Sequence, residues 1–174
     1  AMRETRRKQT ADVVSRVSPA IVFTRTKRGA DRLARQLSKD GISTAAIHGD
    51  RSQNQRERAL ARFSSGEVTT LVATDVAARG IHVDDVAVVV HYDLAGSDKD
   101  YVHRSGRTGR AGAKGVVVTL VLDDQTKDAR AIQKALDMPQ GTTKMDLGAL
   151  AGHGGDRAPA PAAPASPKAS QPSS

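Results

Sequence analysis

Ala20-Ile21-Val22-Phe23-Thr24, followed by Lys27-Arg28-Gly29-Ala30-Asp31-Arg32-Leu33-Ala34-Arg35-Gln36-Leu37-Ser38-Lys39, decides the fold. The first run is apolar at consecutive positions, with no polar alternation. That pattern suits a strand covered on both faces, as in a parallel sheet. In the second run Ala30, Leu33, Ala34 and Leu37 recur at helical spacing, so a strand is followed by an amphipathic helix. Gly41 stops that helix.

The same rhythm repeats along the chain. Thr44–Ile47 is a second strand, ending at His48-Gly49-Asp50. Ser52 and Gln55 form a capping box for a helix that buries Ala59, Leu60 and Phe63, and Gly66 ends it. Thr70–Ala73, Val86–Val90 and Val116–Leu122 are the third, fourth and fifth strands. Ser97 and Asp100 cap a short helix through Tyr101, and 123–136 is a final helix. Strands separated by helices imply βαβ units with right-handed crossovers. The expected class is α/β: an open, mainly parallel sheet with helices on both faces. Ligands of such sheets sit beyond the carboxyl ends of the strands. The polar clusters Thr24-Arg25-Thr26, His48-Gly49-Asp50 and Thr74-Asp75 all fall there.

The chain has 174 residues, a net charge of +8 and a pI of about 10.2. That balance favours an acidic polymer or nucleotide as partner and does not separate RNA from DNA. There is no cysteine, which excludes disulfides and thiolate chemistry. No metal site is expected, and no run reaches the length of a membrane span. A cytoplasmic protein fits best. With two Phe, two Tyr and no Trp, stacking platforms for bases are scarce, so nucleic-acid contacts should lean on the backbone. Residues 1–8 read as a basic linker or arm, with the domain over 9–138 opening on a short helix over about 9–17. Six of the seven prolines lie from 139 onward, and 139–174 reads as a disordered tail.

The chemistry concentrates in His103-Arg104-Ser105-Gly106-Arg107-Thr108-Gly109-Arg110. A helix entering this octet places Arg107 one turn after His103 and Arg104, with Arg110 three residues beyond. Guanidinium forks onto phosphate with paired hydrogen bonds and stays charged near neutral pH, so two arginines converging on one point suit a terminal phosphate. Gly106 and Gly109 let the backbone bend and a ligand come close. A bland basic loop would need neither the glycine spacing nor the intervening threonine. Elsewhere, Gln53 and Arg56 share a face at a helix N-terminus, where phosphate is attracted. Thr74-Asp75-Val76-Ala77-Ala78-Arg79-Gly80 follows a strand and offers a hydroxyl and backbone amides to phosphate or a 2′-OH. A plain strand-to-helix turn capped by Asp75 would use the same residues. His91 and His153 show no metal-ligand spacing and read as satisfied or solvated histidines.

The octet resembles the last signature motif of DEAD-box RNA helicases, His-Arg-x-Gly-Arg-x-Gly-Arg. Residues 74–81 resemble the family's Thr-Asp-x-Ala-Ala-Arg-Gly-Leu/Ile, and Ile47 to Phe63 its Gln-x-x-Arg segment. The resemblance covers about residues 8–136, one RecA-like lobe, and a bacterial source is expected. It implies that Arg107 and Arg110 meet the γ-phosphate of ATP, that His103 couples the ATP state to the other lobe, and that Gly80 lies near the nucleotide. It implies RNA-backbone contacts from Thr24, Arg25, Gly49, Gln53, Arg56, Thr74 and Asp75, with Arg79 and Arg104 bracing the motifs. The family's aspartate that reaches the ATP ribose is His82 here. Either His82 donates a different hydrogen bond or nucleotide affinity is weaker.

No Gly-x-x-x-x-Gly-Lys-Ser/Thr and no Asp-Glu-Ala-Asp occurs in the sequence. By the resemblance these belong to an N-terminal RecA-like lobe, which holds ATP and Mg²⁺ and closes on this one around RNA. A monomeric lobe with only the arginines should hydrolyse almost no ATP alone. Two other classes stay open: a non-enzymatic RNA-binding or annealing module, and a lobe of a helicase that translocates on DNA.

Overall fold

A computed structural model describes residues 2–83, 85–109 and 115–150. The elements run α1 (Met2–Arg16), β1 (Ala20–Thr24), α2 (Lys27–Lys39), β2 (Thr44–Ile47), α3 (Gln53–Ser65), β3 (Thr70–Thr74), α4 (Asp75–Arg79), β4 (Val88–His91), α5 (Asp98–Ser105), β5 (Val116–Thr119), α6 (Thr126–Ala135) and α7 (Leu147–Leu150). All the strand pairs are parallel, in the order β2-β3-β1-β4-β5. The first apolar run is the central strand, buried at every position.

Strand alternation sorts its side chains into two cores. Ala20 and Val22 join Val72, Val88 and Val90 beneath α1 and α2. Ile21 and Phe23 join Leu71, Ala73 and Val89 beneath α3 and α4. Each fully buried Val, Ile or Phe contributes roughly 1.5–3 kcal/mol, so β1 alone anchors both layers. The α3 capping box is formed, and Gly66 ends the helix at φ 83°, a left-handed conformation open to glycine at little cost. Chain reversal from β2 through β3 to β1, then outward to β4, puts the change of winding direction at β1.

Four expected boundaries move. Residues 2–8 are no free arm: α1 starts at Met2, because Arg6 donates to the Tyr92 carbonyl and pairs with Asp93, and Arg7 pairs with Asp40. The fourth strand starts at Val88; Val86 instead bridges to Thr108. The fifth stops at Thr119, which pairs with His91, where β4 ends. A 3-10 turn over Asp123–Gln125 precedes α6.

The tail reading needs correcting over its first part. Residues 139–150 pack on the lobe: Gln133 exchanges two hydrogen bonds of 2.9 Å with the Gly141 backbone. Leu150 is buried in the core under α1, with Met145 and Leu147 against it. The disordered segment expected over 151–174 lies outside the described residues.

Candidate phosphate-binding edge

The parallel register brings the polar clusters to one rim. Thr24 pairs with Thr74, Ile47 with Ala73 and Phe23 with His91. The segments that begin at Arg25, His48, Asp75 and Tyr92 therefore leave the sheet side by side.

Arg104 is the hub of this rim. Its side chain is 2 % exposed and grips Asp75 with two hydrogen bonds, Nε to Oδ1 at 2.6 Å and Nη2 to Oδ2 at 2.7 Å. Nη1 donates to the Asp93 carbonyl at 2.6 Å, and the guanidinium lies 5.3 Å from the Phe23 ring centre. One side chain thus ties α5, the start of α4, the segment after β4 and the central strand together. Burial raises the Asp75 pKa, but the hydrogen bonds and charge of Arg104 outweigh it and hold the carboxyl below its ordinary range. In this structure both Asp75 oxygens are therefore taken up in holding the Arg104 guanidinium.

His91 completes the hub. It is fully buried, stacks on Tyr101 with ring centres 4.8 Å apart, and its Nδ1 accepts from Arg104 while Nε2 reaches the Ser105 hydroxyl at 3.2 Å. Burial, then the Arg104 charge, pushes its pKa down to about 3, with Asp75 opposing. This is a satisfied neutral histidine.

Arg107 reaches the neighbouring loop. Nη1 donates to the Ile81 carbonyl at 2.8 Å and Nη2 to the Ala78 carbonyl at 2.6 Å. Thr108 donates to the Val86 carbonyl, and the Val86 N–H returns to the Arg107 carbonyl. Arg79 pairs with Asp100 at 3.1 Å, tying the loop to α5, which carries the octet. A Cβ on Gly115 would collide with the Thr108 hydroxyl and stand 2.5 Å from the Gly109 nitrogen, so the backbone entering β5 closes directly on the octet. Arg110 lies outside the described residues. His103, His82 and Gly80 are all exposed, and a side chain at Gly80 would meet only ordinary van der Waals contact, its nearest neighbour the Ala77 carbonyl at 3.9 Å.

Along the same rim Thr24 is buried and donates to the Thr26 carbonyl, while Arg25 is exposed. Thr74 makes no side-chain capping bond to α4. Gln53 is exposed and bonds Glu57. Arg56 touches the His48 carbonyl at 3.4 Å, and its buried Nε has no protein partner. Gly49 is exposed beside Lys27, which pairs with Asp50. Sequence reasoning passed over Asp93, which takes the Arg6 side chain and the Arg25 N–H, and Asp31, which receives His48 Nε2 and Arg51. An acidic residue directly beyond a strand end was the available signal for Asp93. Among the described residues no His, Asp and Glu cluster could hold a metal, and no helix is long and apolar enough to cross a membrane.

The family profile of the helicase conserved C-terminal domain matches residues 6–112. The chain is similar to DEAD-box ATP-dependent RNA helicase 30 of Arabidopsis thaliana, 46% identical over 79% of this chain and 24% of that protein. It is also similar to ATP-dependent RNA helicase DBP2 of Ajellomyces capsulatus, 50% identical over 65% of this chain and 21% of that one. The chain thus spans about a quarter or less of these relatives, which come from a plant and a fungus and lend no support to a bacterial source. Among solved structures, E. coli DEAD-box protein SrmB, bound to regulator of ribonuclease activity A, superposes with a TM-score of 0.78 at 32% identity, over 91% of this chain and 92% of that one. The C-terminal domain of the DEAD-box protein Dbp5 gives 0.71 at 32%, over 79% and 82%.

Proposed function

Because the chain belongs to the helicase conserved C-terminal domain family, as the C-terminal lobe of a DEAD-box RNA helicase, we propose that it completes an ATP pocket and an RNA clamp whose other halves lie on an N-terminal RecA-like lobe. The observation that carries this is the state of Arg107. A guanidinium has five N–H donors, and the loop carbonyls of Ala78 and Ile81 take two. The fork is therefore held in place at the rim with donors to spare, beside the uncrowded Gly80. Arg107 and Arg110 meet the charge on the γ-phosphate as the lobes close, and His103, exposed on α5, couples that closure to the opposite lobe. His82 stands where the family's ribose ligand would be.

RNA lies across the strand ends. Arg25, Gln53 and Arg56 supply cationic and amide donors to its phosphates, Thr24 and Thr74 frame the groove, and Gly49 gives the backbone room. Backbone contacts of this kind grip any sequence. Closure then bends one strand and opens a short duplex locally. ATP supplies the energy of a phosphoryl transfer, with Mg²⁺ held by the N-terminal lobe. Positioning and charge stabilisation carry that chemistry, so this lobe alone is inactive as an ATPase. It works as a cytoplasmic monomer away from membranes, in keeping with its lack of cysteine.

Reconstitution tests the proposal. Linked covalently to its matching N-terminal lobe, the chain should give ATP hydrolysis stimulated by RNA more than by DNA of the same sequence. Hydrolysis that ignores RNA would overturn it, and RNA binding with no hydrolysis at all would favour the annealing module.

A further inference from the structure

The exposed side of β2, an edge strand of the sheet, floors a second basic feature. A cleft of about 770 Å³ runs between α2 and α3 along this strand. Arg35 and Lys39 line it from α2, Arg58 and Arg62 from α3, and Arg51 from the loop at the strand's carboxyl end. Five cations face two carboxylates, Asp31 and Asp50, and both carboxylates are already engaged, by His48 with Arg51 and by Lys27.

Folding alone does not account for this arrangement. Arg35 with Lys39 and Arg58 with Arg62 are like-charged i,i+4 pairs, which destabilise a helix by some tenths of a kcal/mol each. The helix dipole favours cations in the last turn, which covers Lys39 and Arg62 but not the mid-helix Arg35 and Arg58. Among the described residues Arg35, Lys39 and Arg58 have no ion-pair partner, and all three are exposed. The floor is made of Ala34, Ala45, Ala46 and Ala59, small enough to leave the trough open. At its upper end the trough reaches His48, Asp50 and Gln55, so it opens onto the rim where Gln53 and Arg56 stand.

Resting on the RNA-backbone role proposed above, we infer that this trough is an extension of the RNA path: the strand leaves the clamp past Arg56 and turns along β2, its phosphates between the two rows of cations. Continuity with the rim is what favours a nucleic acid here over an acidic polypeptide pairing with the free strand edge. With no Phe, Tyr or Trp in the lining and His48 buried, the contact is electrostatic and sequence-blind.

The test is RNA affinity of the whole chain against salt, with a single-stranded oligouridylate of about 16 nucleotides, long enough to span rim and trough. Three variants are compared with the wild type. Arg35→Ala/Lys39→Ala/Arg58→Ala removes the trough's three cations without an ion-pair partner; these are exposed helix positions where alanine is well tolerated. Lys127→Ala/Arg130→Ala/Lys134→Ala removes equal charge from exposed positions on α6. Arg56→Ala disables the rim.

Losing three phosphate contacts should make the slope of log K against log salt shallower by about 2, at roughly 0.7 per single-strand phosphate, and weaken binding at low salt at least about tenfold. The α6 variant should shift the slope far less. Equal slopes for the trough and α6 variants, or no change in the trough variant, would overturn the inference while a weakened Arg56→Ala leaves the rim standing. Binding untouched by Arg56→Ala would instead remove the rim. Loss of polyglutamate binding in the trough variant, with RNA affinity retained, would assign the trough to an acidic polypeptide and overturn the inference.

Discussion

Replacing Arg104 with methionine keeps most of the side-chain stem and removes only the fork. What it leaves behind sets the cost. The Asp75 carboxylate loses both of its hydrogen bonds, and the Asp93 carbonyl loses a third. Breaking a buried ion pair by deleting one partner costs about 3–5 kcal/mol, because an uncompensated charge stays inside. The Asp75 side chain is 28 % exposed and water will reach it, so the lower end, about 3 kcal/mol, is expected. For a domain of this size that lowers Tm by about 6–12 °C. Urea denaturation should show a lower midpoint with an unchanged slope. Adding Asp75→Leu should recover about half or more of the loss, since replacing both members of such a pair by apolar groups is often near neutral. A loss below about 1 kcal/mol in the single variant, or strict additivity in the double variant, would refute the idea that this pair is the strut of the rim.

Other consequences can be measured alongside. The His91 pKa is held at about 3 in the fold against about 6.5 unfolded. Stability should therefore be full above about pH 6.5 and decline below it, reaching about 2 kcal/mol of loss at pH 5. Asp75, whose pKa is lowered, adds its own loss only below its ordinary range near pH 4. His91→Gln should flatten the slope between pH 6 and 4.5, and an unaltered slope would discount His91 as its source. Gly115→Ala drives a methyl into the Thr108–Gly109 backbone; a loss of about 1–3 kcal/mol is expected, and a neutral result would mean the octet does not pack there. Leu150→Ala should cost about 2 kcal/mol by emptying its site under α1. No change in melting temperature would return 139–150 to a free tail.

The sheet was legible because fully buried strands are continuous apolar runs and each helix carries its own stop. The polar residues that follow β1, β2 and β3 converge simply because parallel strands end together. Ser52 with Gln55 and Ser97 with Asp100 could be read for a similar reason, since a cap is chemistry between near neighbours in the chain. What escaped was long-range. Nothing local says that Asp75 serves Arg104, 29 residues away, rather than a ligand; sequence offers only an acid after a strand. The arm over 1–8 looked free because Arg6 finds Tyr92 and Asp93 only once the sheet is built. Met145, Leu147 and Leu150 were hidden inside a proline-rich composition, although three apolar residues suffice to hold a strap. Arg107's hold on the Ala78 and Ile81 carbonyls is likewise long-range and invisible without coordinates.

Arg107 also decides the account. In the chain linked to its N-terminal lobe, at saturating RNA and ATP, Arg107→Ala should lower kcat by about 10³-fold or more, the worth of an arginine at a transferring phosphate. KM for ATP should move by less than about tenfold, since the interaction is made chiefly in the transition state. A kcat within about tenfold of the wild type, with the variant still folded, would contradict the claim that this lobe carries charge to the breaking bond.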